Sequence, residues 1–323
     1  LSEVILQAAT NNSNIELSVI MPVLNERHII KEAWQRVSLV LKQLNVSGEI
    51  IFVDDGSTDG TTEILHEISK FDQTVSVIVF SRNFGQQAAF TAGLDCARGN
   101  AVIMLDSDLQ DPPELIPQMY SEWKKGYQVV YSRRAERQGE SIFKRATAAI
   151  FYRLLKLASG GNIPVDAGDF KLLDRKVVDA IKACPERSRF MRGMVSWAGF
   201  RDIGVEYVRN PRTAGETKYS LWKMTRLSVD AFLSSSRAPL RLSTWLGIML
   251  SLTALLTRIR EGSRRDSQPI SASTLFFLHG LGMLCQGILG EYIARIHLET
   301  QARPNYIIAA VFGPAANEKA SAR

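Results

Sequence analysis

The chain has 323 residues, 46% hydrophobic and 22% charged, with a formal net charge of +6 at pH 7. That length gives room for one large domain plus a smaller element, and the composition is ordinary for a globular protein. The basic balance admits nucleic acid as a partner, but no zinc-finger spacing, helix-turn-helix signal or aromatic RNP motif accompanies it. A basic face against anionic lipid fits better. Cys96, Cys184 and Cys285 match no metal or redox spacing and read as reduced, packed thiols, suited to a catalytic part facing the cytosol.

Residues 1–16 are polar and lack the apolar core of a signal peptide, so they read as a loose leader. From Leu17 the chain alternates apolar strands with helical patterns, the rhythm of a mainly parallel α/β sheet covered on both faces, over residues 17–217. Strands are predicted at Leu17–Val23, Glu49–Asp54, Val75–Phe80, Ala101–Leu105 and Tyr127–Ser132. The intervening helices are predicted at Glu26–Leu44, from near Asp59, at Gln86–Ala97 and at Pro113–Lys124. A less regular half follows. It has a helix at Ser141–Leu157, a Gly/Asn/Pro break at Gly160–Pro164, a strand at Phe170–Leu173 and short helices at Lys176–Ala183 and Arg189–Trp197.

Three strand ends carry polar groups. Pro22-Val-Leu-Asn-Glu26 ends the first, Val53-Asp-Asp-Gly-Ser-Thr-Asp-Gly60 the second and Asp106-Ser-Asp108 the fourth. Parallel strands bring such ends to one rim, where open α/β sheets bind ligands, so Glu26, Asp55, Asp106 and Asp108 are expected to converge there. Hard divalent cations take a few carboxylate oxygens and leave positions for phosphate, which makes Asp106-Ser-Asp108 a candidate metal and diphosphate site. The plainer reading of each end is turn chemistry, since Asp-Gly and Ser-Thr-Asp-Gly are good turn formers. Adjacent strand residues point to opposite faces, so at most one of Asp54 and Asp55 should face a ligand.

Residues 218–238 place Tyr219, Leu221, Trp222, Met224, Leu227, Val229, Phe232 and Leu233 largely on one side of a helix, with Lys223 and Arg226 among them. This suits an interfacial amphipathic helix, and a core helix is the alternative. Within 239–298, two apolar stretches, Leu240–Leu256 and Ser271–Ile293, predict a transmembrane helical hairpin, with Gly280, Gly282, Gly287 and Gly290 suited to close packing in lipid. Arg237, Arg241 and Arg295 flank it and favour both ends inside, whereas the basic connector Arg258–Asp266 argues against that topology. Residues 299–323 read as a C-terminal tail.

The motifs above, together with Arg212-Thr-Ala-Gly-Glu-Thr-Lys218, Ser81-Arg-Asn-Phe-Gly85, Asp166-Ala-Gly-Asp169-Phe-Lys-Leu-Leu-Asp174 and Gly290-Glu-Tyr-Ile-Ala-Arg295, resemble the family-two inverting glycosyltransferases of the GT-A, Rossmann-like fold. Within these the chain is similar to the polyisoprenyl-phosphate hexosyltransferases, the group of dolichol-phosphate mannose synthase and the bacterial undecaprenyl-phosphate glucosyltransferases. The resemblance covers about Leu17 to Tyr306.

It implies that Pro22, Leu24, Glu26, Val53 and Asp55 line a nucleotide pocket. Asp106, Asp108 and Gln110 would hold Mg2+ or Mn2+ against the diphosphate, with Ser107 beside the ribose. Arg133, Arg212 and Lys218 would bind phosphates, a role that guanidinium forks suit. Asp169 would be a base or would orient the acceptor. The implied reaction is attack of a polyprenyl phosphate on a sugar carbon with inversion, in a bacterial inner-membrane protein whose catalytic domain is cytoplasmic. Phe190–Phe200 resembles the glucosyltransferase members and favours UDP-glucose over GDP-mannose. A catalytically silent sugar-nucleotide binding protein is a second reading, and homo-oligomerisation is left open. A processive polysaccharide synthase is disfavoured because the chain lacks a Gln-x-x-Arg-Trp motif.

Overall fold

The computed structural model describes residues 15–134, 167–186, 189–207, 238–261 and 272–314. They fall into two units: one holds 15–134, 167–186, 189–207 and 304–314, the other 238–261 and 272–303.

In the first unit, β1 (Leu17–Val23) is buried along its whole length, as expected of a strand covered on both faces. Next come α1 (Ile30–Leu44), β2 (Gly48–Asp54), α2 (Thr61–Phe71), β3 (Val75–Phe80), α3 (Gln86–Cys96) and β4 (Ala101–Met104). Helix α1 buries Ile30, Ala33, Val37, Val40 and Leu41, a helical stripe, and stops at Asn45 with φ 52°. A 3-10 turn at Pro113–Leu115 leads into α4 (Ile116–Lys124), then β5 (Val129–Arg134), β6 (Ala167–Asp174), α5 (Arg175–Ala183), α6 (Met191–Trp197) and β7 (Asp202–Tyr207). A further strand, β8 (Ile308–Phe312), completes a sheet that has eight strands among the described residues, in the order β7-β5-β6-β4-β1-β2-β3-β8.

Strands β4, β1, β2 and β3 lie side by side and are parallel, with β1 paired to both β2 and β4. The chain winds outward through β2 and β3, then crosses back to place β4 on the other side of β1. That reversal opens a crevice at the carboxyl ends of β1 and β4, where α/β sheets take ligands. One core cluster lies on each face of the sheet. Gly93 in α3 has no room for a side chain: a Cβ there would sit 2.2 Å from Ile20 Cγ2. The glycine lets α3 pack tightly on β1, which carries the start of α3 toward the crevice.

The predicted parallel strands are present within a residue or two. The fifth departs from the simple alternation, because β6 inserts between β4 and β5 and runs antiparallel to both. Helix α1 starts at Ile30 rather than Glu26, since Asn25 takes a left-handed φ of 56° and the Glu26 carbonyl closes a turn onto Ile29 and Ile30. Part of the segment read as a tail is β8, antiparallel to β3 at the sheet edge. The helix at Ser141–Leu157, the break at Gly160–Pro164 and the interfacial helix of 218–238 lie outside the described residues.

The second unit contains α7 (Ala238–Glu261) and α8 (Ala272–Thr300), helical where the hairpin was expected. Among the described residues, no helix is long and apolar enough to cross a membrane, so the transmembrane expectation is without support there. The unit still exposes large apolar side chains, among them Trp245, Leu252, Leu256, Met283, Leu284 and Leu289.

Candidate active site

The ends of β1 and β2 build one wall of the crevice. Asn25 locks the two ends together: its backbone N–H donates to Ser57 Oγ at 2.9 Å and its side-chain oxygen accepts from the Thr58 N–H at 2.8 Å. Asp54 is fully buried and spent on its own turn, accepting from the Ser57 N–H at 2.9 Å and from the Thr62 hydroxyl. Asp55 faces the next loop. It accepts from the N–H groups of Phe84 and Gly85 at 2.6 and 2.9 Å. Burial pushes its carboxyl above the usual range, against the pull of those two donors. Gly56, at φ 78°, permits the approach, since a Cβ there would lie 2.8 Å from the Arg82 carbonyl carbon. Asp55 therefore shapes the 81–85 wall. Asp55→Ala should leave both donors unpaired, destabilise the fold by about 2 kcal/mol in urea titrations and weaken UDP binding. Unchanged stability would contradict this role.

The end of β4 carries the acids. The partly buried Asp106 accepts from Gln86 Nε2, at the start of α3, at 2.6 Å. Its carboxyl is pushed up to about 7, first by burial and then by the charges of Asp169, Asp108 and Asp111. Ser107 is buried. Asp108 accepts from the Gln110 N–H at 3.1 Å, and between them Leu109 is left-handed at φ 55° with its side chain in the core. A left-handed leucine is rare, and here burial enforces a turn that sets Asp108 and Gln110 side by side. Asp111 is buried and accepts from the Tyr207 hydroxyl on β7.

Strand β6 and helix α6 form the opposite wall. Asp169 is gripped by Arg192 from α6, with Nε and Nη2 each 2.6 Å from a carboxylate oxygen. Two residues along the same face of β6, Lys171 is 5% exposed. Burial lowers its ammonium to about 8, and the negative charge of Asp169 opposes that shift. Arg133, exposed at the end of β5, pairs with Glu206 on β7.

Glu26, Asp55, Asp106, Asp108 and Gln110 thus lie at the carboxyl ends of β1, β2 and β4, as expected, and the charge of Asp169 reaches Asp106. Pro22 and Val53 are buried, Val53 within a core cluster, and Leu24 is half-buried. Arg212 and Lys218 lie outside the described residues. Sequence reasoning missed Gln86, Asp111, Lys171, Arg192 and Tyr207, whose partners come from distant elements. Among the described residues, no three His, Cys, Asp or Glu side chains are grouped closely enough to cage a metal. Asp106, Asp108 and Gln110 nonetheless fit Mg2+ or Mn2+. All three offer hard oxygen donors, two carboxylates leave coordination positions for a diphosphate, and the crowded negative charge on Asp106 is the kind a cation relieves.

A family model described as Glycosyl transferase family 2 matches residues 18–182. The uncharacterized glycosyltransferase YkcC of Bacillus subtilis is 47% identical over 307 residues, covering 93% of this chain and 95% of that protein. A prophage bactoprenol glucosyl transferase homolog of Escherichia coli is 38% identical over 301 residues, 91% of this chain and 98% of its own length. Among solved structures, glucosyl-3-phosphoglycerate synthase of Mycobacterium tuberculosis, in complex with Mn2+, UDP and glucosyl-3-phosphoglycerate, aligns at a TM-score of 0.49 and 21% identity. That alignment covers 72% of this chain and 82% of that one. By its sequence match, its mainly parallel α/β sheet with the acids at the switch crevice, and its relatives along nearly the whole length, the chain is an enzyme of glycosyltransferase family 2.

Proposed function

We propose that this glycosyltransferase moves glucose from UDP-glucose to a polyprenyl phosphate at the cytoplasmic face of a bacterial membrane. The observation that carries the reading is the acid cluster at the end of β4, in a chain whose relatives over 91% of its length include a bactoprenol glucosyl transferase of Shigella phage SfX.

In this account Glu26 and the wall fixed by Asp55 receive the nucleoside. Asp106, Asp108 and Gln110 would hold Mg2+ or Mn2+ beside the diphosphate. The bound cation would supply electrostatic stabilisation of the departing nucleoside diphosphate. Arg133, Arg212 and Lys218 are the phosphate-binding candidates. An oxygen of the lipid phosphate attacks the anomeric carbon, the bond from that carbon to the UDP oxygen breaks, and configuration inverts. A phosphate monoester has its second pKa near about 6, so the nucleophile is already largely deprotonated at neutral pH. No strong base is required, which agrees with Asp169 having both oxygens committed to Arg192. The exposed apolar residues of α7 and α8 suit contact with the bilayer that supplies the acceptor.

Purified protein incubated with UDP-[14C]glucose and undecaprenyl phosphate should move label into the organic phase. Label entering only from GDP-mannose overturns the donor. No lipid product from either nucleotide sugar, with UDP binding intact, overturns the enzyme reading in favour of a sugar-nucleotide binding protein.

A further inference from the structure

The two walls of the crevice are wired to each other through the start of α3. Gln86 donates to Asp106. Its neighbour Gln87 accepts from the Met191 N–H at 2.9 Å, which fixes the first turn of α6. The next residue of α6 is Arg192, and its guanidinium takes both oxygens of Asp169. Strand β6 returns the connection to β4, because Lys171 stands opposite Met104 in the antiparallel ladder, two positions before Asp106. Asp106, α3, α6, Asp169 and β6 therefore form a closed circuit of hydrogen bonds and strand pairing around the crevice.

We propose that Arg192 is a positioning residue for the transfer step, its two-pronged grip setting where the Asp169 carboxylate stands relative to Asp106. The inference rests on the functional reading above. The grip is bidentate and half-sheltered, with Arg192 34% and Asp169 11% exposed at the side chain, so it fixes angle as well as distance. A carboxylate with both oxygens committed in this way orients the substrate rather than exchanging protons. Lys171 lies buried on the same side of β6 and keeps positive charge beneath it. Misplacement of a positioning group by about 1 Å costs on the order of a hundred-fold in rate.

The test compares Arg192→Ala, Arg192→Lys, Asp169→Asn and the Arg192→Ala/Asp169→Asn double variant in the lipid transfer assay, with UDP affinity measured in parallel. Arg192→Ala is expected to lower kcat about a hundred-fold while donor KM and UDP affinity stay within about threefold. Added guanidinium should restore part of the turnover, an effect that a merely structural role would not produce. Arg192→Lys, which offers one donor in place of a fork, should fall between and remains informative should the alanine variant fail to fold. The double variant should lose no more than the worse single one, because the pair acts as a unit. Arg192→Ala turnover within about threefold of wild type, or a fully additive double loss, overturns the inference. Wild-type protein that binds UDP but forms no lipid-linked sugar overturns the functional reading, and this one with it.

Discussion

Asp108→Ala should lower sugar transfer by about a thousand-fold while leaving the fold intact. The expectation follows from where Asp108 stands. It ends the one parallel strand that borders the switch crevice on the β4 side, and its carboxylate is aimed by the Gln110 N–H and by the left-handed turn at Leu109. Removing one preorganised electrostatic partner of a developing charge typically costs about a hundred- to a thousand-fold in rate. Asp108 is only half-buried, so a smaller side chain there opens no core cavity. Unfolding midpoints should therefore move little. Transfer within about tenfold of wild type would remove Asp108 from the proposed metal and diphosphate site.

Lys171→Met should raise stability and lower activity, giving a sturdier protein that turns over more slowly. Burial holds the Lys171 ammonium at about 8, against 10.5 for a free lysine. At neutral pH the protein therefore carries a buried charge that the unfolded chain keeps in water. Between about pH 8 and 10.5 the unfolded chain retains a proton that the folded protein has released, so stability rises with pH across that window. Below it the penalty is present in full. A methionine of similar length removes the penalty, and the gain at pH 7 should be roughly 2 kcal/mol, read from urea midpoints at pH 7 and 10. The variant should also lose the pH-dependent rise. Turnover should fall about tenfold or more, since the charge beneath Asp169 is gone. A variant that is less stable than wild type at pH 7, or as active, would refute this account of Lys171.

The parallel half of the sheet was legible because strands buried on both faces are written as near-continuous apolar runs, and β1 to β4 are such runs, broken only by single polar residues such as Ser18, Glu49 and Ser76. Strand β7 carries an alternating signal, with Ile203, Val205 and Tyr207 against Asp202, Gly204 and Glu206, but it is short and follows an irregular stretch. Strand β8 pairs with β3 from beyond the helical unit, a partnership that no local pattern encodes. The same distinction holds in the site. Asp106 and Asp108 could be read from residue type and strand position alone. Arg192 and Tyr207 could not, because they meet Asp169 and Asp111 from elements 23 and 96 residues away. Val53, which the resemblance places at the pocket, is a buried member of a core cluster. The predicted spans rest on a shortage of charge in Ser271–Ile293, and among the described residues no helix is long and apolar enough to cross a membrane.

The central claim is that the acids at the end of β4 hold a metal-bound diphosphate, and calorimetric titration of UDP into the purified protein tests it most directly. With Mn2+ present, UDP should bind to the wild type, and both EDTA and the Asp108→Ala substitution should abolish the heat of binding. UDP binding of equal strength in Mn2+ and in EDTA would contradict the account.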